Sequence, residues 1–209
     1  MIRKRTSIFI SGRGSNMSAL IEAARRPDFP AEIVLALSNR PDAAGLATAK
    51  NYGVATAAVD HKIYAGREEF ERSLQILLDI HRIELICLAG FKRILSPSFV
   101  ERWRGRMINI HPSLLPEFRG LDTHRRALEA GAKMHGCTVH FVEPELDAGP
   151  IIVQQAVPVL AEDTPESLAA RVLEKEHEIY PQALALVASG RAKFERARQD
   201  RRMTFPQQF

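Results

Sequence analysis

Short apolar runs alternate with amphipathic stretches along most of this chain. The first run, Ile8-Phe9-Ile10, gives way to a helical pattern over about residues 16–26, closed by Pro27 and Pro30. EIVLALS predicts a buried strand, DAAGLATAKNYG a helix ending at Gly53, and VATAAV a weaker strand. GREEFERSLQILLDIHR is strongly periodic, with Phe70, Leu74, Leu77 and Leu78 on one side. IELICLAGF and RMINIH predict two more buried strands, with a linker carrying Trp103 between them. Uninterrupted apolar strands separated by helices imply a parallel sheet covered on both faces.

Beyond Pro116 the pattern changes. HGCTVHFVE and GPIIVQQAVPV are strand-like and joined by only residues 144–148, which is short enough for an antiparallel pair. A long helix follows from Thr164, an N-cap with Pro165 in the first helical position. The expected fold is α/β: an open, mostly parallel twisted sheet with helices on both faces and an antiparallel C-terminal annex. Residues 1–190 form a single domain in this reading, and residues 191–209 a basic tail.

Composition narrows the picture. A chain of 209 residues with 45% hydrophobic content buries one good core. The net charge of +4 resides entirely in the tail, where six Lys/Arg meet two Asp/Glu from Arg191 onward; 23 of each sign precede it. A nucleic-acid footprint requires basic residues along one face of a folded domain, so a solvated terminus is the reading and no nucleic-acid partner is expected. Cys87 and Cys137 sit inside apolar strands, as free thiols in a reducing compartment do. The basic start has too short an apolar run for a signal peptide, and no stretch approaches membrane-spanning length. A cytoplasmic protein without a membrane partner is expected, monomeric or homodimeric.

Candidate chemistry begins at Ser11-Gly12-Arg13-Gly14-Ser15-Asn16, between the first strand and first helix. Glycines allow close backbone approach and a helix start offers unpaired N–H groups, so the turn suits an anion; Ser15 and Asn16 are good N-cap residues. The alternative is a tight turn without a ligand. A Walker loop needs Lys-Ser or Lys-Thr, which is missing. A dinucleotide fingerprint needs a third glycine where Met17 stands and an acid where Ser38-Asn39-Arg40 ends the second strand. A terminal phosphate on a smaller molecule fits better. Ligands of open α/β sheets bind beyond the carboxyl ends of the strands, which selects this turn, AGFKRIL after Leu88, and NIHPSLLP around Ile110.

Asn109 and His111 lie two residues apart at a strand end, hence on the same side, where amide and imidazole suit a developing oxyanion. Pro112 and Pro116 stiffen the loop that follows. Asp147, in the turn PELDAGP, could orient and charge His111 if that turn folds over the sheet edge; otherwise it bonds its own backbone. Glu176 shares one helix stripe with Leu168, Val172 and Ile179, and a carboxylate there needs an arginine partner or a substrate amine or hydroxyl. His135, Cys137 and His140 raise the question of zinc. Cys137 and His140 face opposite ways along a strand and no second pair has ligand spacing, so no metal is expected.

SGRGSN, LAGFKRILS, INIHPSLLPEFRGLDTHRRAL, GCTVHFVEPELDAGPII and EHEIYP occur in an order and spacing that resembles the phosphoribosylglycinamide formyltransferase family, the folate-dependent glycinamide ribonucleotide transformylases of purine biosynthesis. The resemblance runs from Ser7 to about Gly190 and implies a Rossmann-like formyltransferase fold. It implies transfer of a formyl group from the co-substrate 10-formyltetrahydrofolate to the ribonucleotide amine, without a metal. Asn109, His111 and Asp147 would be catalytic, with Asp147 holding His111 oriented and protonated. Gly14, Ser15, Asn16 and Glu176 would hold the ribonucleotide. Arg67, Lys92, Arg93, Ile94, Leu95, Asn109, Glu143 and the turn to Asp147 would contact the folate. A cis peptide at Leu115–Pro116 is also implied. Lys92 stands where methionine is frequent in the family, Ala148 where glycine is frequent, and Glu117-Phe118-Arg119 in a variable loop. The rivals are another folate-dependent formyltransferase, a formyltetrahydrofolate hydrolase, and a non-enzymatic phosphate-binding module.

Overall fold

A computed structural model describes residues 2–194. Seven strands form one sheet: β1 (Lys4–Ile10), β2 (Ala31–Ser38), β3 (Ala55–Ala58), β4 (Leu85–Leu88), β5 (Met107–His111), β6 (Met134–Phe141) and β7 (Ile151–Pro158). Their spatial order is β3-β2-β1-β4-β5-β6-β7. The first five are parallel, and β6 and β7 complete the sheet as antiparallel strands. The helices are α1 (Ser15–Ala24), α2 (Ala44–Asn51), α3 (Arg67–Ile80), α4 (Pro97–Arg102), α5 (Thr123–Glu129) and α6 (Pro165–Ala188). Among the described residues, no helix is long and apolar enough to cross a membrane.

Strand alternation divides the core into two layers. Ile8, Ile10, Ala36, Cys87, Ile108, Ile110, Cys137 and Val139 pack with α1 and α6 on one face. Phe9, Leu35, Leu37, Ile86, Leu88 and Met107 pack with α3 and α4 on the other. The apolar stripe of α3 is buried at Phe70, Leu74 and Leu78 as its period predicts, and Leu77 is partly buried. Tyr180 of α6 is fully buried, its hydroxyl donating to Leu88 O (2.9 Å), which ties α6 to the carboxyl end of β4. Cys87 and Cys137 are buried free thiols; burial pushes both up, Cys137 to about 12.

Several local expectations need correction. The predicted linker around Trp103 contains α4, capped by Ser96, with Trp103 itself buried and donating from Nε1 to Gln75 Oε1 (3.0 Å). The N-cap of α1 is Gly14 in a left-handed conformation (φ +75°), which puts Ser15 and Asn16 inside the first turn. Leu115–Pro116 is cis. In the 144–148 turn the left-handed residue is Asp147 (φ +50°), not Ala148, so alanine at 148 meets no such strain. Of the expected basic tail, residues 191–194 are described and Phe194 packs edge-on against Phe141 (5.7 Å between centroids); the remainder lies outside the described residues.

The chain leaves β1 toward β2 and β3, then crosses back to β4 on the other side. The β1–β4 boundary is therefore the topological switch point, where open α/β sheets form a ligand crevice beyond the carboxyl ends.

Candidate active site

The first turn leaves β1 at Ser11 and enters α1 at Ser15. Gly14 takes the positive φ that a Cβ would strain, and no side chain caps the helix, which leaves its first N–H groups without a side-chain acceptor. The turn is braced from α2: Gly45 N–H donates to Gly12 O (3.0 Å). A Cβ on Gly45 would lie 2.6 Å from Ile10 Cδ1 and 2.9 Å from Gly12 O, so only glycine fits. Asn16 is buried and donates from Nδ2 to Glu176 Oε2 (2.6 Å), while its Oδ1 is buried without a partner. Glu176, 7% exposed on the α6 stripe, finds an amide rather than an arginine. Burial raises its carboxyl above the usual range, and the Asn16 bond offsets only part of that.

Across the crevice, residues 89–96 connect β4 to α4. Gly90 is left-handed (φ +77°). Lys92 N–H donates to Ser11 Oγ (2.8 Å), and its side chain is exposed. Arg93 lies over the Phe70 ring (5.2 Å) with Nε buried and unpartnered. Leu95 is buried and Ile94 exposed. The far end is fixed by Glu71, a buried carboxylate that accepts from Ser96 N (2.6 Å) and Ser96 Oγ. Arg67 opens α3, exposed, one turn before Phe70.

The third region sits on the sheet face opposite α1 and α6. β5 and β6 pair Asn109 with His140 and His111 with Thr138, so all four side chains share that face. Thr138 Oγ1 accepts from Leu115 N (3.1 Å) and donates to Ser113 O (2.7 Å), fastening the proline-stiffened loop after His111. Of the two alternatives for Asp147, the turn folds over the edge. Its Oδ2 accepts from Gly120 N (2.9 Å) and lies 3.4 Å from His111 Nδ1. The turn reaches this position because Gly149 passes against Phe141 O, where a Cβ would sit at 1.9 Å. His111 Nε2 faces Phe118 O (3.1 Å), so its two ring nitrogens lie beside a carbonyl oxygen and a carboxylate oxygen.

His140 belongs to this cluster too. The strand parity that separates it from Cys137 leaves it free to face Asn109, its cross-strand partner. Burial lowers the pKa of His140, keeping the ring neutral. Its Nδ1 donates to Phe141 O (2.8 Å), so the Nε2 lone pair receives Asn109 Nδ2 (3.2 Å) and holds that amide in place. The 3.8 Å approach of Nε2 to Asp147 Oδ1 is then proximity without a bond. Cross-strand pairing was the signal, legible only once the register is known. Among the described residues no group of three or more His, Cys, Asp or Glu is arranged to hold a metal ion. The side chains of Arg67 and Glu143 make no hydrogen bond or ion pair among the described residues; Glu143 is half-buried at the start of the 144–148 turn.

Comparison with known proteins gives the family. The sequence matches the Formyl transferase family over residues 4–184. It is 51% identical over 186 residues to the trifunctional purine biosynthetic protein adenosine-3 of Gallus gallus, covering 89% of this chain and 18% of that protein. The chain thus spans about a fifth of that longer relative. It is 45% identical to the phosphoribosylglycinamide formyltransferase of Escherichia coli (strain K12), covering 89% of this chain and 88% of the other. A crystal structure of phosphoribosylglycinamide formyltransferase from Brucella melitensis superposes with a TM-score of 0.86 at 52% identity, over 92% of this chain and all of that one. The chain belongs to the formyl transferase family.

Proposed function

We propose that this protein transfers a formyl group from 10-formyltetrahydrofolate to the amine of glycinamide ribonucleotide, a step of purine biosynthesis, acting on these small molecules in the cytoplasm. The observation that carries the reading is the convergence of Asn109, His111 and Asp147 at the edge of the crevice.

The reaction needs no covalent enzyme intermediate. The neutral amine attacks the formyl carbon, the carbonyl electron pair moves onto oxygen, and two preorganised donors meet it: an Asn109 Nδ2–H and the His111 Nε2–H. Collapse returns that pair, breaks the bond from carbon to folate N10, and N10 leaves with a proton while the amine nitrogen loses one. Asp147 compensates the imidazolium and relays protons through water. His111 Nε2 already lies 3.1 Å from Phe118 O, so in this mechanism the formyl oxygen replaces that carbonyl as its partner.

The first turn, with Gly14, Ser15 and Asn16, takes the phosphate through backbone N–H groups, and Glu176 accepts from the ribonucleotide. Residues 92–95, Asn109, Glu143 and the turn to Asp147 line the folate. Arg67 and Arg93 supply cationic charge for its glutamate carboxylates. An absorbance assay with glycinamide ribonucleotide and a 10-formyl folate should show turnover. A folded protein that fails to turn over overturns the reading.

A further inference from the structure

The mechanism leaves unused a buried hydrogen-bond chain that crosses the switch point. Lys92 N lies 2.8 Å from Ser11 Oγ, which lies 2.5 Å from Asn39 Oδ1. Ser11 is 3% exposed and Asn39 2%. The direction of this chain follows from chemistry. A backbone N–H can only donate, so Ser11 Oγ accepts from Lys92 and its single hydrogen goes to the Asn39 carbonyl oxygen. That turns Asn39 Nδ2 toward His61, whose Nδ1 lies 2.9 Å from Asn39 O. Three adjacent strands contribute: Ser11 follows β1, Asn39 follows β2, and Lys92 lies in the loop after β4.

We infer that Ser11 and Asn39 are positioning residues for the donor-binding loop: they set the backbone of residues 92–95 from beneath without touching either substrate. The loop needs such a support. It starts with a left-handed glycine, Gly90, and its other fixed end is Ser96 on Glu71. The Lys92 amide lies between these points, and Ser11 is its acceptor. Deleting the hydroxyl leaves a buried N–H and a buried amide oxygen unpaired, and the less costly response is for the loop to move away. Gly12 and Gly14, which shape the first turn, are braced separately by Gly45, so the loss falls on the donor side.

This inference rests on the reading that residues 92–95 contact the folate, so the two are tested apart. First, 10-formyl folate should protect residues 89–95 of the wild-type protein from hydrogen exchange. If it does not, the folate-loop reading fails and takes the inference with it. With protection established, Ser11→Ala should raise KM for the 10-formyl folate about tenfold, the cost of roughly one hydrogen bond. KM for glycinamide ribonucleotide should stay within about twofold, and kcat at saturating donor should be largely retained. Exchange at the Lys92 amide should accelerate in the same variant, and Ser11→Thr should restore both donor KM and protection. Should Ser11→Ala fail to fold, Asn39→Asp, which keeps the acceptor, is compared with Asn39→Leu, which removes it; only the leucine variant should lose donor affinity. Equal rises in both KM values, or an unmoved donor KM in a folded Ser11→Ala or Asn39→Leu protein, overturns the inference.

Discussion

Asp147 and Glu176 are buried carboxylates on opposite faces of the sheet, and they are held in different ways. Asp147, 9% exposed, accepts a backbone N–H from Gly120 and lies beside the His111 ring. Glu176, 7% exposed, has one neutral donor, the Asn16 amide, inside the layer of α1 and α6. Burial without a charged partner pushes the Glu176 carboxyl upward. The difference separates two tasks. In the proposed mechanism the carboxylate facing the imidazole serves as counter-ion to the ring during the reaction. A carboxylate with a single amide and an apolar surround remains under-satisfied until a ligand donor arrives.

Removing the ring should have the largest effect. His111→Ala should lower turnover by about 10²–10³-fold, the range for losing one oxyanion stabiliser. Asp147→Asn keeps the shape and removes the counter-charge, so kcat should fall while both substrates still bind. Steady-state kinetics checks both; full turnover in Asp147→Asn would make the two carboxylates equivalent and dissolve the contrast.

Glu176→Gln should act on binding instead. It keeps an oxygen for Asn16 and should raise KM for the ribonucleotide by about 10–100-fold, equivalent to about 1–3 kcal/mol for a hydrogen bond to a charged group. Donor KM should barely move. Stability should respond in the opposite sense to activity. Because the folded carboxyl holds its proton more tightly than the unfolded one, wild-type stability declines as pH rises through the folded value. The glutamine variant lacks that decline, so urea unfolding should show its relative stability growing with pH. A variant less stable than wild type at pH 8 would mean that the Glu176 carboxylate itself stabilises the fold.

Gly45→Ala tests the same region through its brace. The added methyl collides with Ile10 and Gly12 O, and overpacking of this kind costs about 1–3 kcal/mol. A lowered Tm and a raised ribonucleotide KM should appear together, with the donor KM preserved.

The smallest effect belongs to the imidazole side and has the reverse pH sign. Burial pushes His135 down to about 4 and lowers His124 and His140 as well. Unfolded histidines titrate near about 6.5. Between those values the unfolded chain binds more protons, so stability should fall as pH drops from 6.5 and level off near 4. Both ring nitrogens of His135 are buried without partners, and its ring packs against Phe118 and His124. His135→Phe should therefore flatten part of the acid slope in urea titrations at pH 7.5, 6 and 5. An unchanged slope would remove His135 from the account.

The alternation of apolar runs and amphipathic stretches already locates all seven strands and helices α1, α2, α3 and α6, because each carries a period long enough to read. Helices α4 and α5 span six and seven residues, too short for such a period, and are stabilised by what they pack against. Asn109 and His111 were legible because two residues on one strand share a face whatever the strand pairs with. The Glu176 stripe was legible for the same local reason, although its partner could have been an arginine.

His140 beside Asn109, Asp147 beside His111, Glu71 beneath Ser96 and Asn39 beneath Ser11 all depended on register, turn geometry or loop path. Local sequence determined the periods, the glycine-bearing turn and the side-chain types that could do chemistry, since those follow from neighbouring residues on one backbone. Tertiary structure alone decided which amide met which carboxylate. Residues 16 and 176 come within 2.6 Å only when α1 and α6 pack on the same face of a folded sheet.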